Sequence, residues 1–343
     1  MADFNPNNVG LLNGNIFGMP YTYTEAETVI IPVPWDVTTS YHKGTANGPQ
    51  AILEASPQID FYNAFTKNAW EHKVFFEPID EYWVKKNEEL NRLSEEIIRK
   101  QEQGIALSGE DKNDLDKINA ASAELNEYIY QKAQKIFNDG KTPVLLGGEH
   151  SVPLGIIKAY TEKYEGLSIL QIDAHADLRI AYEGFEFSHA SIMHNVLTTT
   201  KTDMLVQIGV RDICEDEVKY IEKEPRINTF FDWELKHQLY EGKSWDMLCN
   251  EIAVRLTDTV YISFDIDGLD PKLCPNTGTP VPGGFELEQI NYLLLKIIDS
   301  GKKIVGFDLN EVSPDAGNPK NDWDANVGAR TLWMLLCRLY DCR

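Results

Sequence analysis

Two short acidic clusters carry chemistry by their spacing. Asp173-Ala174-His175-Ala176-Asp177 follows directly on an apolar run, 167–172, and Asp265-Ile266-Asp267-Gly268-Leu269-Asp270-Pro271 follows another, 259–264. In an extended chain residues i, i+2 and i+4 face the same side. Asp173, His175 and Asp177 therefore share one face, and Asp265 and Asp267 share another. A third segment, Gly147-Gly148-Glu149-His150-Ser151, also ends an apolar run and is expected to set His150 at the start of the next helix. Four aspartates and two histidines brought together without counter-charge repel one another. Two divalent cations would cancel that repulsion. A donor set of carboxylates and imidazoles without thiolates suits Mn2+, with Ni2+, Co2+ or Zn2+ as alternatives. One D-x-D pair alone is a weak signal, since acidic pairs often cap helices. The three clusters together, each ending an apolar run, are a strong one.

The elements that must position these residues follow from the rest of the pattern. Short apolar runs at 28–33, 143–146, 167–172, 204–208, 259–264 and 303–307 read as strands. Segments of helical length lie between them, at 126–138, 152–160, 215–222, 243–256, 287–300 and 329–340. Near-continuous apolar strands alternating with helices imply an α/β fold, a three-layer α/β/α arrangement around a mainly parallel sheet. Ligands in such sheets gather at the carboxyl ends of the strands, where all three clusters fall. The charged stretch 82–122 differs, with Leu90, Leu93, Ile97 and Ile98 at helical spacing and breaks at Gly104 and Ser108-Gly109. It is expected to be a helical insertion, two helices with a polar turn. It reads as a solvated hairpin or, more sharply, as an oligomer contact or a cover over the site. The 343 residues are expected to form one catalytic domain.

Composition excludes several classes. The formal net charge of −22 disfavours non-specific binding to nucleic acid or to an anionic membrane surface, both of which need a basic patch. No apolar stretch reaches membrane-spanning length. The five cysteines form no C-x-x-C pair, which argues against a disulfide framework or a thiolate zinc site and fits a cytoplasmic protein. Residues 1–21 lack a basic start and an apolar run, so no signal peptide is expected.

With these motifs the sequence resembles the ureohydrolase family of arginase, agmatinase, guanidinobutyrase and formimidoylglutamase, over residues 30–340 apart from the charged insertion. The resemblance implies an arginase-like fold and two Mn2+ ions. One would be held by His150, Asp173, Asp177 and Asp265, the other by His175, Asp173, Asp265 and Asp267, with Asp173 and Asp265 bridging. Glu149 stands where arginases have Asp and is not a ligand. Two metals sharing a water lower its pKa and supply hydroxide for attack on a guanidinium carbon. His189, in Ser188-His189-Ala190-Ser191, matches the family's proton shuttle, and Asp177 is a catalytic as well as a metal-binding carboxylate. Glu311, in Asp308-Leu309-Asn310-Glu311-Val312, matches the carboxylate that clamps the guanidinium, which can receive two N–H bonds at once. Thr279 resembles a loop threonine near the substrate. The resemblance also implies a homo-oligomer, a trimer or hexamer.

Among family members the chain looks most like agmatinases. Arg179 and Cys214 stand where arginases carry Asn and Asp. Val33-Pro34-Trp35-Asp36 with Gly44-Thr45-Ala46-Asn47-Gly48-Pro49 is agmatinase-like, as is Arg179-Ile180-Ala181-Tyr182-Glu183-Gly184. Agmatine would give putrescine and urea, and Glu183 or Glu186 would meet its ammonium. Arg179 points the other way. Facing the pocket, it would pair with a carboxylate tail; facing the cluster, it would neutralise the aspartates. Guanidinobutyrate, formiminoglutamate, arginine and guanidine are the alternative substrates. A catalytically silent binding or regulatory subunit is the alternative class, disfavoured because every family metal position is filled. His194 reads as a structural helix residue, and His42, His72 and His237 carry no motif.

Overall fold

The computed structural model describes residues 4–342. Within these residues eight strands form one sheet: β1 (Thr28–Val33), β2 (Val74–Phe76), β3 (Thr142–Gly147), β4 (Leu167–Ile172), β5 (Met204–Ile208), β6 (Ile227–Phe230), β7 (Thr259–Asp265) and β8 (Lys303–Asn310). All adjacent pairs are parallel, and the order is β2-β1-β3-β8-β7-β4-β5-β6. The six expected strands are all present. The two unanticipated ones are the short edges, β2 and β6. In β6 only the first residue is fully buried, so its sequence lacks the apolar run that marks the inner strands.

Among the described residues, ten α-helices accompany the sheet: α1 (Gly48–Ala55), α2 (Glu81–Glu102), α3 (Gly109–Asn138), α4 (Leu154–Lys163), α5 (Ile192–Thr199), α6 (Glu215–Lys223), α7 (Asp232–Tyr240), α8 (Trp245–Ala253), α9 (Leu287–Asp299) and α10 (Trp323–Tyr340). Because strand side chains alternate, the same strands feed two cores. Ile30, Val144, Leu146, Leu170 and Ile172 point into a core closed by α1, α8, α9 and α10. Val29, Ile31, Leu145, Leu167 and Ile169 point into a second core closed by α2 to α5. The three-layer arrangement follows from that division. No helix among the described residues is long and apolar enough to cross a membrane.

The charged stretch differs from its expected outline. The first helix and the turn at Gly104, with φ of +68°, are as anticipated. The second helix does not stop near Ser122. It runs unbroken from Gly109 to Asn138, 30 residues, and takes in the segment read separately as 126–138. Ser108 and Asp111 close its first turn as a capping box. Its rear half packs closely on α4 at Gly155, where a Cβ would lie 2.1 Å from the Asn126 carbonyl oxygen. The hairpin is thus continuous with the crossover that leads into β3.

Candidate metal centre and active site

The strands β3, β8, β7 and β4 are consecutive neighbours at the centre of the sheet. Their carboxyl ends deliver every residue of the cluster. Asp173 directly follows β4, Asp265 ends β7, Glu311 directly follows β8, and His150 lies three residues beyond β3. His150 sits in the turn before α4, which starts only at Leu154, rather than in the helix itself. Close backbone approach brings two of the loops together. A Cβ on Gly268 would lie 2.8 Å from the Asp173 amide, so only glycine lets the β7 loop rest on the end of β4.

The cluster is tight, and all of it but His175 is buried. His150 Nδ1 lies 2.9 Å from Asp173 Oδ2, 3.2 Å from Asp177 Oδ2 and 3.3 Å from Asp265 Oδ2. His175 Nδ1 lies 3.1 Å from Asp267 Oδ2 and 3.5 Å from Asp173 Oδ1. Backbone amides pin one oxygen each of Asp173, Asp265 and Asp267. Asp173 Oδ1 accepts from the His175 amide at 2.6 Å, Asp265 Oδ1 from the Asp267 amide at 2.8 Å, and Asp267 Oδ1 from the Ala174 amide at 2.9 Å. Gln171 Nε2 donates to Asp173 Oδ2 at 2.8 Å. Two groups of converging donors result: His150, Asp173 and Asp265, and Asp173, His175 and Asp267. Asp173 belongs to both.

The electrostatics call for cations. Burial, and then the neighbouring Asp173, push Asp177 up to about 8. Asp265 is raised well above the carboxylate range by burial and by Asp267 and Asp173. Burial works to raise Asp173 too, but hydrogen bonds with His150 and His175 hold it below its ordinary value. Burial would lower both histidines, yet the surrounding carboxylates raise them well above it. A buried set of four carboxylates in which Asp177 and Asp265 are driven towards the protonated form, and whose imidazoles are driven towards the charged form, lacks positive charge. Divalent metal supplies that charge, and the oxygen and nitrogen donors suit a hard or intermediate ion. The orientation of His150 fits as well. Its Nε2 donates to Ser263 Oγ at 2.9 Å, and Ser263 passes a hydrogen bond to Asp308 Oδ1 at 2.9 Å. With Nε2 bonded in that way, Nδ1 is the ring atom that faces the carboxylates.

Comparison with known proteins agrees with this geometry. The profile of the arginase family matches residues 26–337. The chain belongs to the arginase family. An N(1)-aminopropylagmatine ureohydrolase of Thermus thermophilus is 33% identical over 293 residues, covering 85% of each chain. The agmatinase of Bacillus anthracis is 30% identical over 297 residues, covering 85% of this chain and 86% of its own. Among solved structures, the agmatine ureohydrolase of Thermoplasma volcanium superposes with a TM-score of 0.70 at 22% identity, covering 96% of this chain and 94% of the other. The arginase of Bacillus subtilis gives 0.64 at 23% identity, covering 91% and 98%. These two structures share the arginase-like fold. The chain is an arginase-family hydrolase acting on C–N bonds of linear amidines, in a family that depends on a binuclear metal centre.

In this arginase-family frame the other sequence-derived residues fall in distinct places. Glu311 is buried, in the left-handed region at φ +64°, a strain typical of functional positions. Its Oε1 accepts from the His150 amide at 2.7 Å, while Oε2 is buried without a partner. Burial, and then Glu149, raise it well above the carboxylate range, so an incoming cation is its natural partner. His189 shares a pocket of about 150 Å³ with His175, Asp177, Thr279, Ser40 and Arg179. Its amide donates to Thr38 Oγ1 at 3.1 Å, and burial, then His175, lower it to about 4. Thr279 Oγ1 lies 3.5 Å from Asp267 Oδ2, a weak contact. Arg179 lines the pocket, its Nε 3.7 Å from Glu217 and its guanidinium 4.6 Å above the Tyr182 ring. Glu183 lines an adjoining cavity of about 400 Å³ rather than the metal pocket. Glu186 is exposed and lines neither. His194 lies in α5 against Tyr220, as a structural residue would.

Two groups of residues were missed. Asp212, just beyond β5, and Glu217, in the first turn of α6, both line the metal pocket. Ser263, Gln171 and Asp308 fix the ligands from within the strands. Their signal was present: one polar residue amid an otherwise buried apolar strand needs a partner.

Proposed function

We propose that this hydrolase cleaves agmatine to putrescine and urea with two Mn2+ ions, in a cytoplasm whose reducing conditions suit five free cysteines. The observation that carries the substrate is the charge of the pocket wall. Arg179 is already engaged by Glu217 and stacked on Tyr182, and Asp212 adds a second carboxylate. The wall is net acidic, which suits an ammonium tail and disfavours the carboxylate tails of guanidinobutyrate, formiminoglutamate and arginine. Glu183, one cavity further out, is the more distant partner for that ammonium.

His150, Asp173, Asp177 and Asp265 would hold one metal and Asp173, His175, Asp265 and Asp267 the other, and the pair would supply a hydroxide nucleophile at neutral pH. The side chains of the chain do the rest. Glu311 offers its free Oε2 to the guanidinium and orients the carbon for attack. Asp177, held with φ of +53°, orders the inner end of the pocket beside His150. His189, neutral because burial and the neighbouring His175 depress it, takes up a proton transiently and hands it to the departing amine. Thr279 contacts the substrate beside Asp267.

A second reading has its own support. The cavity of about 400 Å³ adjoins the metal pocket through Arg179, Tyr182 and Glu217 and has room for a longer amine. N(1)-aminopropylagmatine, named for the Thermus thermophilus relative, is such a substrate. The test is urea release by Mn2+-loaded protein from agmatine, N(1)-aminopropylagmatine, arginine, guanidinobutyrate and guanidine, with formamide release from formiminoglutamate. Agmatine is expected to give the highest kcat/KM. A carboxylate-tailed substrate in first place would overturn the reading of the acidic wall.

A further inference from the structure

The hairpin of α2 and α3 touches both walls of the metal pocket. The first wall is the segment 36–47, which places Ser40 on the pocket and Thr38 against His189. It is tied to a polar stripe on α2. The Asp36 amide donates to Asn87 Oδ1 at 2.8 Å, and Asp36 Oδ1 accepts from Asn87 at 3.0 Å and from Asn91 at 2.6 Å. Lys43 Nζ donates to Ser94 Oγ at 3.0 Å and to Asn91. The second wall is the turn at 179–184, which presents Arg179 and Tyr182. Ala181 and Glu183 adopt φ of +48° and +55° there, a region costly for residues with a Cβ. Such a turn persists only when its surroundings hold it. Gln101 Nε2 donates to the Glu183 carbonyl at 2.8 Å, and Asn119 Nδ2 to the Gly184 carbonyl at 3.2 Å. Asn119 Oδ1 accepts from the Glu186 amide at 2.9 Å, and Leu115 packs against Gly184.

Asn87, Ser94 and Gln101 repeat every seven residues and so lie along one side of α2. Ser94 and Asn87 are buried. A polar row on the inner side of a helix has a purpose other than core filling.

We propose that this hairpin sets the width of the pocket mouth, and that Gln101 and Asn119 are positioning residues for the part of the substrate beyond the guanidinium. They act through the strained turn that carries Arg179 and Tyr182. The proposal builds on the reading of the pocket as a guanidino-substrate site.

The test uses the full-length, metal-loaded protein with two variants: Gln101→Ala combined with Asn119→Ala, and Gln101→Glu, which keeps the shape and removes the donor. Amide exchange at residues 182–186 should quicken about tenfold while the central strands are unchanged. KM for the best tailed substrate should rise about fivefold, with kcat within about twofold. Inhibition by guanidinium ion, which has no tail, should be unaltered, as should metal content. Unchanged exchange in the turn would overturn the proposal. So would an unchanged KM, or a parallel loss of kcat and guanidinium affinity, which marks general damage. If the unaltered protein hydrolyses no guanidino compound, the substrate reading fails, and the exchange measurement alone decides whether the hairpin holds the turn.

Discussion

The metal cluster and the pocket mouth lie side by side but are built by opposite means. The cluster stands on four adjacent central strands, and its carboxylates are pinned by amides one or two residues away or on the neighbouring loop. The mouth stands on loops and is held by side chains from a remote helical pair. Backbone-anchored groups stay put because moving them would disturb the sheet. Side-chain-anchored loops can be re-aimed by changing single residues outside the site. On the proposed reading, the chemistry rests on the part anchored in the sheet, and the choice of substrate on the part held by side chains.

That contrast predicts a graded series of effects. The steepest loss belongs to the residue shared by both donor groups. Asp173→Asn is expected to empty both sites and lower kcat by about a thousandfold or more, since metals supply several kcal/mol of the barrier reduction. Metal analysis with steady-state kinetics checks it, and two retained ions with near-normal turnover would break the comparison at its strongest point. Ser263→Ala comes next. It frees Nε2 of His150 without touching a donor, and metal affinity should weaken about 10–100-fold. Titration with Mn2+ measures this, and an unshifted curve would mean that His150 needs no support.

The smallest effect lies in the hairpin. Lys100 and then the Ser108 amide hold the Asp111 carboxyl down at about 2, below its ordinary 3.8. A depressed acid stabilises the fold fully above its unfolded pKa and loses that contribution as pH falls through its folded pKa. Asp111→Asn should thus speed amide exchange in the first turn of α3 at neutral pH. The difference from the unaltered protein should fade as pH falls from about 4 to 2. A difference that persists at pH 2 would assign the effect to the lost hydrogen-bond geometry rather than to charge.

The cluster was legible because spacing and strand period coincide. Asp173, His175 and Asp177, and Asp265 and Asp267, follow unbroken apolar runs, and the observed strands start or end within a residue or two of those runs. What supports the cluster was harder to see. Ser263 and Asp308 look like interruptions of a strand until the structure shows Ser263 linking His150 to Asp308. The mouth was least legible. Asp212 sits beside Cys214, which drew attention as a departure from arginases, and only the pocket shows that Asp212 is the lining residue. Glu183 or Glu186 was expected to meet the ammonium, but the direction of Glu183 depends on a left-handed turn with no glycine at that position to announce it. The hairpin was outlined by charge and by Leu90, Leu93, Ile97 and Ile98. The row of Asn87, Ser94 and Gln101 on the same helix carried its connection to the site.

The unbroken run of α3 bears on how this protein could be remade. At 30 residues it is a rod of about 45 Å. Its front half bonds the turn at 179–184 through Asn119, and its rear half lies against α4 on the way into β3. Cutting at residue 122, where charge alone would place the boundary, severs the rod in mid-span. The hairpin is therefore no cassette to be lifted out or exchanged between enzymes. New selectivity would have to be introduced one side chain at a time along a beam that also braces the sheet.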